Sequence, residues 1–461
     1  MRKNHKTWLI VGPRYDIIAF TKQKKGLIML IRFSVENFRS FKDCQTLYLN
    51  AVKTCKEWKM ENTAEDAGVR AVRTAVVYGA NASGKTNLFI ALLRMKAFML
   101  ASVGFDKKAA FLFCEPFALS KGMDKKPVLF EIEFTQDSKH FIYGFSMCMT
   151  NNSWESYAIE KEWLIEVEKN KKRCYFLRER RMDDTGNPSD VIKVDGKMMP
   201  QGLGLEQRTR PDVLFFTVAA QFAEPTCQAI SEYIGKALNV YSGIEHKAFV
   251  GISKNKLATD VVMAGKIKKL VSEADTGVKD LTIDSSGNLI SHHSLYDEMG
   301  DVVGHMNFSF DYMESMGTRK LFDISCILVE ALQNGYVLMI DELDAKLHPL
   351  IVRRIIELFN NQATNPKNAQ LIFNAQSPDL LGYKVFSEAK NKKITRLRRD
   401  QIYFVEKDNQ EASKVFSLIE FKKDSGLRTR NDASYDKDYL SGVYGGIPFP
   451  KEMVAEVSGN G

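Results

Sequence analysis

The run from Leu27 to Asn37 opens apolar and ends in an alternation of apolar and polar residues. Ile31, Phe33 and Val35 fall to one side and Arg32, Ser34 and Glu36 to the other, which predicts a half-buried strand. Thr74 to Tyr78 is apolar or aromatic after its first residue, the composition of a parallel strand covered on both faces. It runs directly into Gly79, and a helix is predicted from about Lys85 to Leu100. Val128–Phe134 and His140–Met147 flank Gln136-Asp137-Ser138-Lys139 and predict a β-hairpin, which Tyr157 to Val167 extends by a third strand. Late in the chain, helical residues from Lys320 to Leu332 precede the apolar strand Tyr336–Ile340. A helix over Pro349–Asn360 and the apolar Leu371–Phe373 follow. Strand alternating with helix predicts a parallel sheet. The stretch from Lys169 to His305 mixes charge-rich pieces, turn signals and helical patterns such as Ala229–Leu238. The expected architecture is therefore α/β: a parallel-sheet core, an antiparallel β lobe and an inserted helical or mixed lobe. The expected segments are 1–28 as a lead-in, 29–155 as the first part of the core with the β lobe, 156–305 as the insert and 306–461 as the second part of the core.

At 461 residues the chain exceeds the size at which a single hydrophobic core stops growing, so one lobed domain or a few smaller ones is expected. A hydrophobic fraction of 44% and a charged fraction of 26% are those of a soluble globular protein. No segment approaches the roughly 18 consecutive apolar residues of a membrane span. Apolar stretches in the basic opening residues are broken by Gly12, Pro13 and Arg14, so no export signal is read and a cytoplasmic location is expected. Residues 1–28 are read as a flexible lead-in or an over-extended gene start. Seven scattered cysteines without a Cys-x-x-Cys pair argue against a disulfide framework or a zinc site. The formal net charge of +8 is mild for this length and fits solvated surface charge.

The chemistry concentrates at two places. Gly79-Ala80-Asn81-Ala82-Ser83-Gly84-Lys85-Thr86 matches the G-x-x-x-x-G-K-[ST] phosphate loop and lies between a predicted strand and a predicted helix. Glycines let backbone N–H groups curl around phosphates, the helix N-terminus adds partial positive charge, Lys85 reaches the β/γ-phosphates and Thr86 ligates Mg²⁺. The second place is Val337-Leu338-Met339-Ile340-Asp341-Glu342, an apolar strand ending in two acids. Asp341 is suited to the Mg²⁺ shell and Glu342 to polarising the attacking water. ATP and Mg²⁺ are the implied ligands. No Asn/Thr-Lys-x-Asp motif follows at the position that reads a guanine base.

Ile31 to Asp43, Tyr78 to Asn87, Glu314 to Lys320, Asp341 to Pro349, and the tail segments Leu397–Lys407 and Tyr439–Pro448 together resemble the bacterial AAA-type ATPases whose ABC-like head is shared with SMC and overcoming-lysogenization-defect proteins, RloA-like ATPases among them. The resemblance spans about Met29 to Pro448, and it is thin between Tyr157 and Ser309. It implies a P-loop NTPase fold of the ABC-ATPase type, with Gly79 and Asn81 to Asn87 around the nucleotide. It further implies that Ser315 and Gly317 contact the γ-phosphate held by an opposite subunit, and that Asp344 lies near a dimer seam. Ser315-Met316-Gly317-Thr318 reads equally as an ordinary helix N-cap. The family's switch histidine is replaced by Gln376 in Phe373-Asn374-Ala375-Gln376-Ser377. Glutamine orients water or a phosphate oxygen but carries no proton, so either slowed hydrolysis or a simple substitution follows.

The implied function is an ATP-hydrolysing switch that works as a dimer or a multiple of dimers and controls a separately encoded effector in anti-phage or restriction-linked defence. No Toprim nuclease is expected after Pro448. An ATP-gated DNA-binding scaffold with negligible turnover is the alternative. Its nucleic-acid contacts would come from Asn391–Arg399 or Lys169–Arg173, runs that read more simply as solvated faces. His348 is expected to cap the helix beginning at Pro349, and His292-His293 to sit in a polar loop. Phe33, Phe38 and Phe41 are candidates for stacking on adenine, although alternating Phe is usually core.

Overall fold

The computed structural model describes residues 28–105, 113–150, 157–169, 171–182, 187–242, 246–274, 276–387, 391–421 and 433–447. The lead-in expected over residues 1–28 lies outside them except for Ile28, as does Pro448 of the tail. The chain opens with β1 (Ile28–Glu36), β2 (Gln45–Tyr48), the hairpin of β3 (Thr63–Asp66) and β4 (Val69–Val72), β5 (Thr74–Tyr78) and α1 (Lys85–Ala101). Five long strands follow: β6 (Val128–Gln136), β7 (Lys139–Met149), β8 (Tyr157–Glu168), β9 (Lys171–Met182) and β10 (Pro188–Val194). Next come α2 (Phe215–Gln221), α3 (Pro225–Ala237), β11 (Leu238–Tyr241), α4 (His246–Thr259), α5 (Val261–Ser272), β12 (Asp280–Ile283), β13 (Leu289–Tyr296), β14 (Val302–Ser309), α6 (Phe310–Met313) and α7 (Met316–Asn334). The last third holds β15 (Val337–Ile340), α8 (Pro349–Asn360), β16 (Gln370–Asn374), β17 (Lys384–Ser387), β18 (Lys392–Thr395), β19 (Ile402–Lys407), β20 (Ser413–Ser417) and α9 (Tyr435–Leu440).

Two sheets organise the described residues. One is six-stranded in the order β11-β15-β16-β5-β19-β20, parallel except for the terminal β19–β20 pair. Its central strands β5, β15 and β16 are buried at every residue, which is why their sequences are apolar runs rather than alternations. The other is a seven-stranded antiparallel sheet in the order β10-β9-β8-β7-β6-β1-β2. At the turn of the predicted hairpin, Asp137 and Ser138 both take positive φ, the backbone of a two-residue turn that matches the strand twist. Helix α1 bridges the two sheets: Leu88, Leu92, Met95 and Phe98 recur at helical spacing and join one buried cluster with Val77 and Met339 of the parallel sheet and Phe130 and Phe145 of the antiparallel one. The stretch Lys85–Gly104 is long and apolar enough to match a membrane span. Here its apolar residues serve that core.

The structure redraws the expected insert. Residues 156–305 are not one lobe. Strand β8 extends the hairpin as expected, its buried Tyr157, Ile159 and Leu164 facing the core beside β7, and β9 and β10 carry the antiparallel sheet further. Strand β11 adds to the parallel sheet beside β15, and its four residues are too short to read from periodicity. Among the described residues of this span, α4, α5 and the three-stranded sheet β12-β13-β14 pack apart, over α7, around Ile267, Val271, Leu281, Phe310 and Phe322.

Smaller corrections follow from packing. In β1 a register shift between Leu30 and Arg32 breaks the alternation, so Ile31 packs with Met29, Ala64 and Ala71 rather than with Phe33 and Val35. Phe33, Phe38 and Phe41 are fully buried in the core, which removes them as adenine-stacking candidates. His292 and His293 lie on β13, not in a loop, and His293 meets the buried Glu314 at 2.6 Å. The basic run ending at Arg399 is partly internal. Arg398 is 1% exposed and grips Asp400 through two bonds of 2.8 and 2.6 Å, and Arg396 lies over the Trp58 ring.

Candidate functional site

The site forms where β5, β15 and β16 end at their C-terminal edge, the edge at which open parallel sheets bind ligands. The loop leaving β5 closes against β19 and β20. A Cβ on Gly79 would stand 2.3 Å from the Val405 carbonyl oxygen, and one on Gly84 would stand 2.2 Å from Ser413 Oγ. Gly84 also holds φ +111, so only glycine fits there. Helix α1 starts at Lys85 with no side-chain cap on its first turn and no acid in it, leaving first-turn N–H groups available to an anion. Ser83 Oγ is buried without a hydrogen-bond partner among the described residues, while the Ser83 carbonyl accepts from Ser413 Oγ at 2.6 Å. Asn81 and Ala82 are exposed at the loop tip, and Asn87 donates to Ser40 Oγ at 2.8 Å.

Lys85 is 8% exposed, and its ammonium donates to the loop's own carbonyls, Gly79 at 2.6 Å and Ala80 at 2.9 Å. Burial pulls its pKa below the ordinary lysine value, while Asp341, Glu342 and Asp344 pull it back up. Thr86 Oγ1 donates to Asp341 Oδ1 at 3.3 Å, so the loop and the end of β15 meet at the two oxygens expected to share a cation. Asp341 is 6% exposed, and its second oxygen accepts from Ser242 Oγ at 3.4 Å.

Glu342 turns out of the strand with φ +53, and its carboxylate is exposed. Gln376 Nε2 lies 3.5 Å from Glu342 Oε1, and the Gln376 and Ser377 amides donate to Asp344 Oδ2 at 2.8 and 2.9 Å. Lys85, Thr86, Asp341, Glu342, Asp344 and Gln376 thus share one cluster. Ser315 and Gly317 sit at the start of α7. Ser315 Oγ accepts from the Thr318 N–H at 3.1 Å as an N-cap, and Gly317 packs so closely on the β15–α8 loop that a Cβ would stand 2.9 Å from the Lys346 carbonyl oxygen. His348 Nδ1 accepts from the Leu350 N–H at 3.3 Å and caps α8.

Sequence reasoning missed Asn374. At 1% exposure it donates through Nδ2 to Asp341 Oδ1 and accepts through Oδ1 from the Glu342 N–H, clamping both acids. Its position, a polar residue ending an apolar strand two places before Gln376, was the available signal. Ser242 carried none.

The residues fit a nucleotide and a divalent cation. The loop is shaped by glycines that a Cβ would block, the helix end is uncapped, a lysine stands buried in the loop, and a hydroxyl meets a carboxylate. These features define a P-loop nucleotide-binding domain. Within that class, the chain belongs to the family described as "AAA domain, putative AbiEii toxin, Type IV TA system", matched over residues 75–195 and 262–382. No curated protein matches. Among solved structures, it is similar to the SMC head domain from Thermotoga maritima, at 11% identity and TM-score 0.36, covering 84% of this chain and 98% of that one. It is also similar to the recombination mediator protein RecF bound to ATP in the RecFOR pathway, at 11% identity and TM-score 0.30, covering 86% and 100%.

Proposed function

We propose that this protein is a cytoplasmic ATP-hydrolysing switch of the RloA-like kind, with composite sites between two copies, and that it governs a separately encoded effector. The observation that carries the reading is the meeting of Thr86 and Asp341 at 3.3 Å beside the buried Lys85. Lys85 would hold the β/γ-phosphates, and Thr86 and Asp341 would hold Mg²⁺, which when bound offsets phosphate charge. Glu342 would take the proton of the attacking water. Gln376, within 3.5 Å of that carboxylate, would orient the water without accepting a proton. Ser315, Gly317 and the first turn of α7 would meet the γ-phosphate held by a second copy, with Asp344 at the seam. Asp344 is engaged by the Gln376 and Ser377 amides, a contact that a second copy would have to rearrange. The toxin–antitoxin wording of the family description supports a role in defence.

The test is ATP turnover by wild type, Lys85→Ala and Glu342→Gln, with mass determination in ATP and with and without DNA. Turnover abolished by Lys85→Ala, with an ATP-trapped dimer in Glu342→Gln, is expected. No turnover and no change of assembly in any variant would refute the reading, and salt-sensitive DNA binding in that case would mark a scaffold.

A further inference from the structure

The last described segment, residues 433–447, returns to the phosphate loop. Helix α9 closes on the residues that follow it, the Gly442 N–H donating to the Tyr439 carbonyl and the Val443 N–H to the Asp438 carbonyl, each at 2.9 Å. The segment docks through its rings on the ends of β5 and β19. Tyr439 lies 5.5 Å from Tyr78 and 5.6 Å from Phe404, and Tyr444 lies 5.3 Å from Phe404, spacings at which aromatic pairs attract beyond the area they bury.

Tyr439 is buried, and its hydroxyl donates to the Gly446 carbonyl at 3.3 Å. Burial raises the pKa of that hydroxyl, and the Gly79 N–H, which faces the same oxygen, opposes the rise. Gly446 in turn stands so near that a Cβ on it would lie 3.5 Å from Gly79 Cα and 3.5 Å from the Val405 carbonyl oxygen. Gly79 is therefore flanked by the Tyr439 hydroxyl, Gly446 and Val405, while its own carbonyl accepts from Lys85 at 2.6 Å. Helix α9 also meets the segment that follows Gln376, where a Cβ on Gly382 would stand 2.8 Å from Asp436 Oδ2. One element thus touches both the root of the phosphate loop and the segment carrying Gln376.

We infer, on the reading of that loop as the nucleotide site, that Tyr439 is a positioning residue whose hydroxyl, together with Gly446, braces Gly79 in the shape that lets the loop amides face a phosphate. Removing the hydroxyl alone leaves the ring stacked on Tyr78 and Phe404, so the fold is spared. The Gly79 N–H then loses the oxygen it faces and the Gly446 carbonyl loses its donor. A loop root freed in this way spends part of its time in shapes that do not bind, and apparent affinity falls in proportion to the competent fraction. Glu342 and Gln376 keep their contacts, so the loss falls on nucleotide binding and not on the chemical step.

The experiment measures binding of a fluorescent ATP analogue and ATP turnover by the full chain as wild type, Tyr439→Phe, Tyr444→Phe and Lys85→Ala, with a thermal melt of each. Tyr444 donates to Asp438 Oδ2 at 2.9 Å within the tail, so its Phe variant controls for a loosened tail. Tyr439→Phe is expected to raise the analogue Kd and the KM for ATP about fivefold, the worth of one net hydrogen bond, while kcat and Tm stay at their wild-type values. Tyr444→Phe should bind as wild type does, and Lys85→Ala should lose binding. With Lys85→Ala inactive, any of three results overturns the assignment: wild-type affinity in Tyr439→Phe, an equal loss in both Phe variants, or a loss confined to kcat or Tm. Binding by Lys85→Ala at the wild-type level would instead remove the phosphate-loop reading, and the role of Tyr439 with it.

Discussion

Asn374 offers the sharpest test of how the two acids are held. Its side chain donates to Asp341 and accepts from the Glu342 N–H, and it is 1% exposed, so nothing in solvent replaces either bond. Glu342 takes φ +53, a left-handed conformation that costs a non-glycine residue on the order of 1 kcal/mol and needs a compensating contact. Asn374→Ala removes a bond to a carboxylate, worth about 1.5–3 kcal/mol, and orphans the Glu342 N–H, for roughly 1 kcal/mol more. The expected loss is about 3 kcal/mol, over a hundredfold in the folding equilibrium. Asn374→Asp should be at least as costly, since it sets a second carboxylate against Asp341. Asp341→Asn added to Asn374→Asp restores one donor facing one acceptor and should recover most of the loss. Urea unfolding at neutral pH without nucleotide, followed through the first transition, measures all three. An Asn374→Ala protein within about 0.5 kcal/mol of wild type, the scale of an ordinary surface change, would show that the clamp does not hold the acids. So would a double variant no better than Asn374→Asp.

Gly84→Ala forces a Cβ to within 2.2 Å of Ser413 Oγ at φ +111; a loss of about 2 kcal/mol and of fluorescent ATP-analogue binding is expected, and retention of both would refute the tight fit of the loop. Burial raises the Asp323 carboxyl to about 6, so the fold binds its proton more tightly than the unfolded chain does. Its stabilising contribution is full below about pH 4 and is lost as pH climbs through 6, so wild type should lose about 1 kcal/mol relative to Asp323→Asn between pH 4 and 7 after allowing for partial exposure. Parallel pH–stability curves would refute this. Arg398→Ala leaves Asp400 charged and buried and should cost about 3–5 kcal/mol in urea unfolding. A cost below about 1 kcal/mol, the value of an exposed pair, would return the run Asn391–Arg399 to the solvated surface.

Much of the fold was legible because its signals are local. The phosphate loop, the all-apolar strands β5, β15 and β16, and helices α1 and α8 declare themselves through steric rules and periodicities that act within a few residues. The insert was misjudged because strand membership depends on what lies alongside. Strand β8 was legible as an extension of the hairpin, but only the register of β9 on β8 and of β10 on β9 assigns those two strands to the antiparallel sheet. The bulge in β1 was illegible for the same reason: a one-residue shift in pairing changes which face Ile31 takes without changing a letter of the sequence.

By itself the sequence determined which residues could handle phosphate and a cation: Gly79 to Thr86, Asp341 and Glu342. Their chemistry is intrinsic to the side chains, and their spacing suits a single loop and a single strand end. Only the tertiary structure decided what stands around them. It brought Thr86 to Asp341 across 255 positions of chain, set Asn374 between the two acids and turned Gln376 toward Glu342. Such pairings depend on how sheets stack and helices cross. That arrangement is settled by burying apolar surface over the whole domain, and no local stretch of sequence encodes it.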